Sequence, residues 1–245
     1  MADLNQYQQA RTRVDGRSAA ELDQGLRSYM LGIYNYMAIA MVITGGVALA
    51  TANYVMSNPA AAQAMYGSGL RWVIMLAPLA FVMVLSFGIN KLSASAARAI
   101  FFVYSAVMGV SLASIFLVYS GQSIAQTFFV TAAAFGGLSL YGYTTKRSLS
   151  GMGSFLMMGL IGLIIAMVVN MFLQSSAMMF AINVIGVLIF AGLTAYDTQR
   201  LKHMYDAVAH DATLMAKTSI MGALSLYLNF VNMFMFLLSF MGNRE

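Results

Sequence analysis

The chain has 245 residues, of which 60% are hydrophobic and only 9% charged, with a formal net charge of +5. Soluble domains carry about 25% charged residues, so too little polar surface exists here to coat a water-soluble globule, and a polytopic membrane protein is the reading that fits. The basic excess sits in short clusters between apolar runs, which membrane topology explains without nucleic acid, and the lack of cysteine excludes disulfides and thiolate metal sites.

Residues 1–28 are polar and mixed in charge, and they predict a solvated cytosolic tail. No secretory signal precedes the first apolar run, which begins near Tyr29 and is long enough to be retained as a signal-anchor. No N-x-S/T sequon occurs. Seven apolar runs follow, over 29–54, 71–90, 98–119, 122–145, 153–173, 178–199 and 217–241. Each is long enough to cross a hydrocarbon core of about 30 Å. They are continuous rather than alternating, so helices are expected and barrel strands are not. The fold class is therefore all-α integral membrane: seven transmembrane helices in one domain over 29–241, with 242–245 a short C-terminal tail. Short connections make neighbouring helices antiparallel. Pro59 falls in the first loop, and Pro78 lies inside the second run, where it can kink the helix.

Lysine and arginine set the orientation. With a cytosolic N-terminus, the inside segments hold Arg11, Arg13, Arg17, Arg27, Lys91, Arg98, Lys146, Arg147, Arg200, Lys202 and Lys217, and the outside segments only Arg71 and Arg244. That asymmetry predicts N-inside, C-outside. A re-entrant last run would instead return the C-terminus to the cytosol. Gly46 and Ala50, Ala132 and Gly136, Ala133 and Gly137, and Gly162 and Ala166 are small pairs four apart, which predict close helix packing within the bundle.

Residues 24–196 contain no Asp or Glu, and the silence ends at Asp197. An intramembrane ionisable group is expensive and marks a functional site unless something duller explains it. At 100° per residue, Asn183, Gly186, Thr194 and Asp197 share one face of the sixth run. Thr218, Gly222, Ser225, Asn229, Asn232 and Ser239 form a polar stripe on the seventh, which should point inward. The duller alternatives are interhelical hydrogen bonds for the stripe and a surface ion pair of Asp197 with Arg200 at the membrane edge. The sharper reading is an inward carboxylate that binds a hard cation weakly, through oxygen ligands. His203 and His210 read as solvated loop residues. No run contains His, there is no His-Glu-x-x-His or nucleotide-binding loop, and the seventh run beyond Thr218 has no Lys for a retinal Schiff base, so an enzyme is not expected.

The sixth run exits as Leu193-Thr-Ala-Tyr-Asp197-Thr-Gln-Arg200, and the seventh carries Leu226-Tyr-Leu-Asn229-Phe. Together with the seven runs, these segments resemble the Bax inhibitor-1, or transmembrane Bax inhibitor motif, family, and a bacterial inner-membrane member of it. The resemblance implies a bundle with the last helix in the middle and a pH-gated calcium leak, with no cofactor and Ca²⁺ as the permeant ion. In the family, aspartates on the last two helices share a proton. Two close carboxylates cannot both ionise cheaply, so the pair senses pH. Asp197 matches the first position, but the second is Asn229, which cannot titrate. Weakened pH sensing is the expectation. Asn232 and Ser225 flank the implied path, with Lys91 and Arg200 as latch partners. The resemblance also implies an alternative outside transport: binding to the membrane-anchored AAA protease FtsH through residues 1–27, since a protease needs an unstructured handle.

Overall fold

The computed structural model describes residues 19–243. Of the tail expected over 1–28, residues 1–18 lie outside the described residues, as do Arg244 and Glu245, while 19–28 are already helical. The described chain is helical, without strands: α1 (Ala19–Ser57), α2 (Pro59–Tyr66), α3 (Leu70–Gly88), α4 (Ala94–Leu112, continued by a 3₁₀ turn Ala113–Leu117), α5 (Gly121–Thr144), α6 (Ser150–Leu173), α7 (Ser176–Val208) and α8 (Ala212–Met241). All except the short α2 are long and apolar enough to span a bilayer. The protein is an all-α integral membrane protein with seven spans.

Polar side chains at the connections set where helices begin. Ser93, Ser120 and Ser175 accept hydrogen bonds from backbone N–H groups in the first turns of α4, α5 and α7, and Asp211 accepts two at the start of α8. Asn58 caps α2, whose first residue is Pro59. The first loop is thus partly helical, because cap and proline together favour a turn of helix there.

Two helices outrun their apolar windows. α1 begins at Ala19, ten residues before the apolar run, in a stretch of good helix formers. α7 continues to Val208, eleven residues past Asp197. The extensions support each other: the rings of Tyr29 and Tyr205 pack 5.6 Å apart, and Gly25 lies against the Tyr205 hydroxyl. Asp197 is therefore not at a helix end.

α8 is the central helix. Of its apolar window 67% is buried, against 39% in the next most enclosed span, α7. It packs on α1, α4, α5 and α7. Aromatic pairs knit these faces, with Tyr104 and Tyr227 at 5.6 Å across α4 and α8, and Phe135 and Phe230 at 5.5 Å across α5 and α8. The Thr44 hydroxyl donates to the Ser105 carbonyl at 2.8 Å and lies 2.7 Å from the Tyr227 hydroxyl, joining α1, α4 and α8. Near the start of α8 Lys217 donates to the Asn90 carbonyl, and just past its end Asn243 bonds Ser120 and Ser123. These anchors lie on opposite faces of the bundle. A helix of 30 residues is about 45 Å long, so α8 crosses the whole bundle and does not re-enter. The face holding Arg27, Lys91, Lys146, Arg147, Lys202 and Lys217 is called the basic face below.

Pro78 lies inside α3 and is buried. Proline has no N–H, so the carbonyl four residues back, that of Ile74, is left free. The Ser111 hydroxyl on α4 donates to it. In lipid such a borrowed donor is what permits an interior proline.

The glycines of the small pairs chosen from sequence do not make close helix contacts, although Ala132 and Ala166 pack against the core. A Cβ added at Gly46, Gly136, Gly137 or Gly162 would meet nothing within 4 Å. Close approach falls instead on Gly142, against the Ala195 backbone, on Gly109 against Thr44 and Val47, and on Gly222 against Leu201. Four-residue spacing puts two small residues on one face but does not say which face turns inward.

Candidate functional site

Asp197 is 6% exposed, on the face of α7 that meets α8. The polar stripe of α8 turns toward it. Ser225 and Asn229 are four apart and so stack on one side of that helix. Both donate to the same carboxylate oxygen: the Ser225 hydroxyl reaches Asp197 Oδ2 at 2.7 Å and the Asn229 amide nitrogen at 2.8 Å. The other oxygen, Oδ1, lies 3.9 Å from the Arg200 guanidinium. This is the one ion pair among the described residues. It differs from the surface pair that spacing alone allowed in that the carboxylate is buried, while the arginine side chain is 49% exposed.

A cavity of about 480 Å³ adjoins the carboxylate. Asp197, Arg200, Ser225, Asn229 and Asn232 form its polar wall, and Leu160, Leu163 and Met167 of α6 the apolar one. α6 packs chiefly on α7, so the cavity separates it from α8. Asn232 lines the cavity but donates to its own helix, at the Leu228 carbonyl, 2.8 Å away. Asn183 is further along: its amide donates to Ser239 at 2.9 Å, tying α7 to α8 toward the other face. Among the described residues no three of His, Cys, Asp and Glu cluster.

The structure thus brings Asp197, Ser225 and Asn229 together, with Arg200 at their edge and Asn232 nearby. It leaves Lys91 out. That residue is exposed in the α3–α4 connection, and its side chain makes no hydrogen bond or ion pair among the described residues. Its neighbour Asn90 instead accepts from Lys217, and both line a smaller cavity of about 180 Å³ at the basic face. Arg200 lines this cavity too, so its side chain lies between the two. Lys217 counts only for topology in the sequence, and its bond to the α3–α4 connection is what shows its place. Gln199 was also missed: buried beside Asp197, it accepts from the Leu149 N–H and donates to the Arg147 carbonyl, both at 2.8 Å, pinning the α5–α6 connection to α7. His203 and His210 are exposed.

Residues 26–245 match the family model described as inhibitor of apoptosis-promoting Bax1. The chain belongs to the Bax inhibitor-1 family. Similar proteins include an uncharacterised protein of Caulobacter vibrioides, 48% identical over 96% of this chain and 97% of that one. Another, of Rickettsia prowazekii, is 46% identical over 91% and 92%. The inner membrane protein YbhL of Escherichia coli is 47% identical over 90% of this chain and 94% of its own. The central last helix that the resemblance implied is the arrangement found.

Proposed function

We propose that this Bax inhibitor-1 family member is a cation leak path, with calcium as the permeant ion, gated at Asp197. The observation that carries the reading is a single buried carboxylate facing a polar-walled cavity beside the central helix. In the arrangement described, two neutral donors occupy Oδ2 and Arg200 faces Oδ1, so the negative charge is spent within the protein and the path is closed. Arg200 is half-exposed and can swing toward the basic face. Its departure frees Oδ1 for a hard cation, with the amide and hydroxyl oxygens of Asn229, Asn232 and Ser225 within the same wall. One carboxylate with neutral oxygens holds such an ion weakly, which suits transit rather than storage.

Asn229 makes the hydrogen bond that a protonated aspartic acid would make, yet never titrates. The pH response of the leak is therefore shallow. The orientation supported by the positive-inside asymmetry puts the basic face, and Arg200 with it, in the cytosol of a bacterium, with the inner membrane as the site. The reading as a handle for the protease FtsH rests on residues 1–27 alone, and no described contact adds to it.

The test is calcium influx into proteoliposomes between about pH 6 and 8, with wild type, Asp197→Asn and Asn229→Asp side by side. Flux lost in Asp197→Asn and steepened in its pH dependence by Asn229→Asp is the expected result. Folded wild type giving no flux above empty liposomes would sink the channel and turn attention to the tail.

A further inference from the structure

A second recess shares no residue with the Asp197 cavity. α1 and α5 both pack on α7 and α8, which hold them apart, and a lipid-facing groove of about 480 Å³ runs between them. Leu31 and Tyr34 form one wall and Phe135 and Tyr143 the other. Gly136 opens the far wall, since an added Cβ there meets nothing within 4 Å. From Tyr143 to Phe135 is eight residues of helix, about 12 Å, or the upper half of an acyl chain.

The mouth of the groove distinguishes it from ordinary lipid-facing surface. Arg27 lines it at the basic face and makes no ion pair among the described residues, and Asp23, one turn earlier, is exposed and makes none there either. Lys202 stands beside it, donating to the Tyr143 carbonyl at 2.8 Å with its ammonium 4.9 Å from the centre of that ring. Neither cation has a carboxylate partner within the described residues. Ser139, one turn from Tyr143, also lines the groove, and its hydroxyl is buried with no hydrogen-bond partner. Two cations without a carboxylate partner among the described residues, over an apolar slot, match a phosphodiester headgroup and one acyl chain. Basic pockets between helices at a cytosolic face are a recurrent mode of anionic lipid recognition.

We infer that the α1–α5 groove is a site for an anionic phospholipid, its phosphate held at Arg27 and Lys202 and one chain lying along Gly136. Nanodiscs containing equal phosphatidylglycerol and phosphatidylcholine test this, with the lipid retained on the released protein read by native mass spectrometry. Wild type is expected to enrich phosphatidylglycerol by about fivefold or more, since each cation near a headgroup contributes about that factor. Gly136→Leu should return the ratio to that of the mixture because it fills the slot, and Arg27→Gln should lower the wild-type ratio about fivefold, leaving only the share due to Lys202. Gly137→Leu adds the same bulk outside the groove and should behave as wild type. The site is overturned by a wild type without preference, by either groove variant keeping the wild-type enrichment, or by Gly137→Leu losing it too. Should Gly136→Leu lose its helical signal, Leu31→Trp fills the same slot from the opposite wall.

Discussion

Asp197 spends both its oxygens within the protein, but not equally. Oδ2 accepts two short hydrogen bonds from α8, while Oδ1 has only a 3.9 Å approach from a half-exposed arginine. The weaker hold is the one that can be released. Arg200→Gln removes the charge that neutralises the carboxylate and keeps most of the side chain's bulk. Calcium influx at neutral pH is expected to rise severalfold, and an influx that falls or stays constant would show that Arg200 serves the path rather than closing it. The pieces of this site were legible in the sequence to different degrees. Asp197 stood out because nothing acidic precedes it for most of the membrane region, and Ser225 and Asn229 followed from helical spacing alone. The Lys91 expectation failed because a loop has no periodicity from which to read where its side chains go.

Helices were legible from apolar runs, while their ends and inward faces were not. The bilayer dictates apolar length, but α1 and α7 continue as helices in water because they pack on each other through Tyr29 and Tyr205. Glycine shows the limit on faces most clearly. Gly142→Ala drives a Cβ into the Ala195 backbone, where nothing flexible can give way, and overpacking of that kind costs about 1–3 kcal/mol. Gly137→Ala enters open space and should fall within about 0.5 kcal/mol of wild type. Reversible unfolding in mixed micelles measures both, and equal effects would refute the assignment of packed and open faces. The Pro78 arrangement gives a sharper test within α3 and α4. Ser111→Ala leaves the Ile74 carbonyl without a donor and should cost about 0.6–2 kcal/mol, the range for interhelical hydrogen bonds in membranes. In a Pro78→Ala background the backbone N–H returns to that carbonyl, so the same serine change should cost much less. Additive losses would mean that the hydroxyl does not compensate the proline.

At the scale of the whole molecule, the question is on which side of the membrane Arg200 lies. Asp197 follows Ser176 by 21 residues, about 32 Å of helix, which is close to the full hydrocarbon thickness. The carboxylate therefore sits near the basic-face boundary rather than at mid-membrane. In the proposed leak a cation from that side would meet it after passing Arg200, while one from the other side would first travel past apolar side chains and the Asn183–Ser239 pair. The proposed closing element is thus on one side only, and orientation decides which compartment would control it. Because the chain has no cysteine, single cysteines report their side without interference. Ser148, in the α5–α6 connection at the basic face, and Asn243, beyond the end of α8, are both exposed. With the basic face inside, a membrane-impermeant maleimide added to intact cells should label Asn243→Cys and spare Ser148→Cys, and inverted vesicles should give the reverse. Labelling of both from one side would contradict the end-to-end crossing of α8. Exchanged labelling would put Arg200 outside, and a leak latched there would answer to the external medium instead of the cytosol.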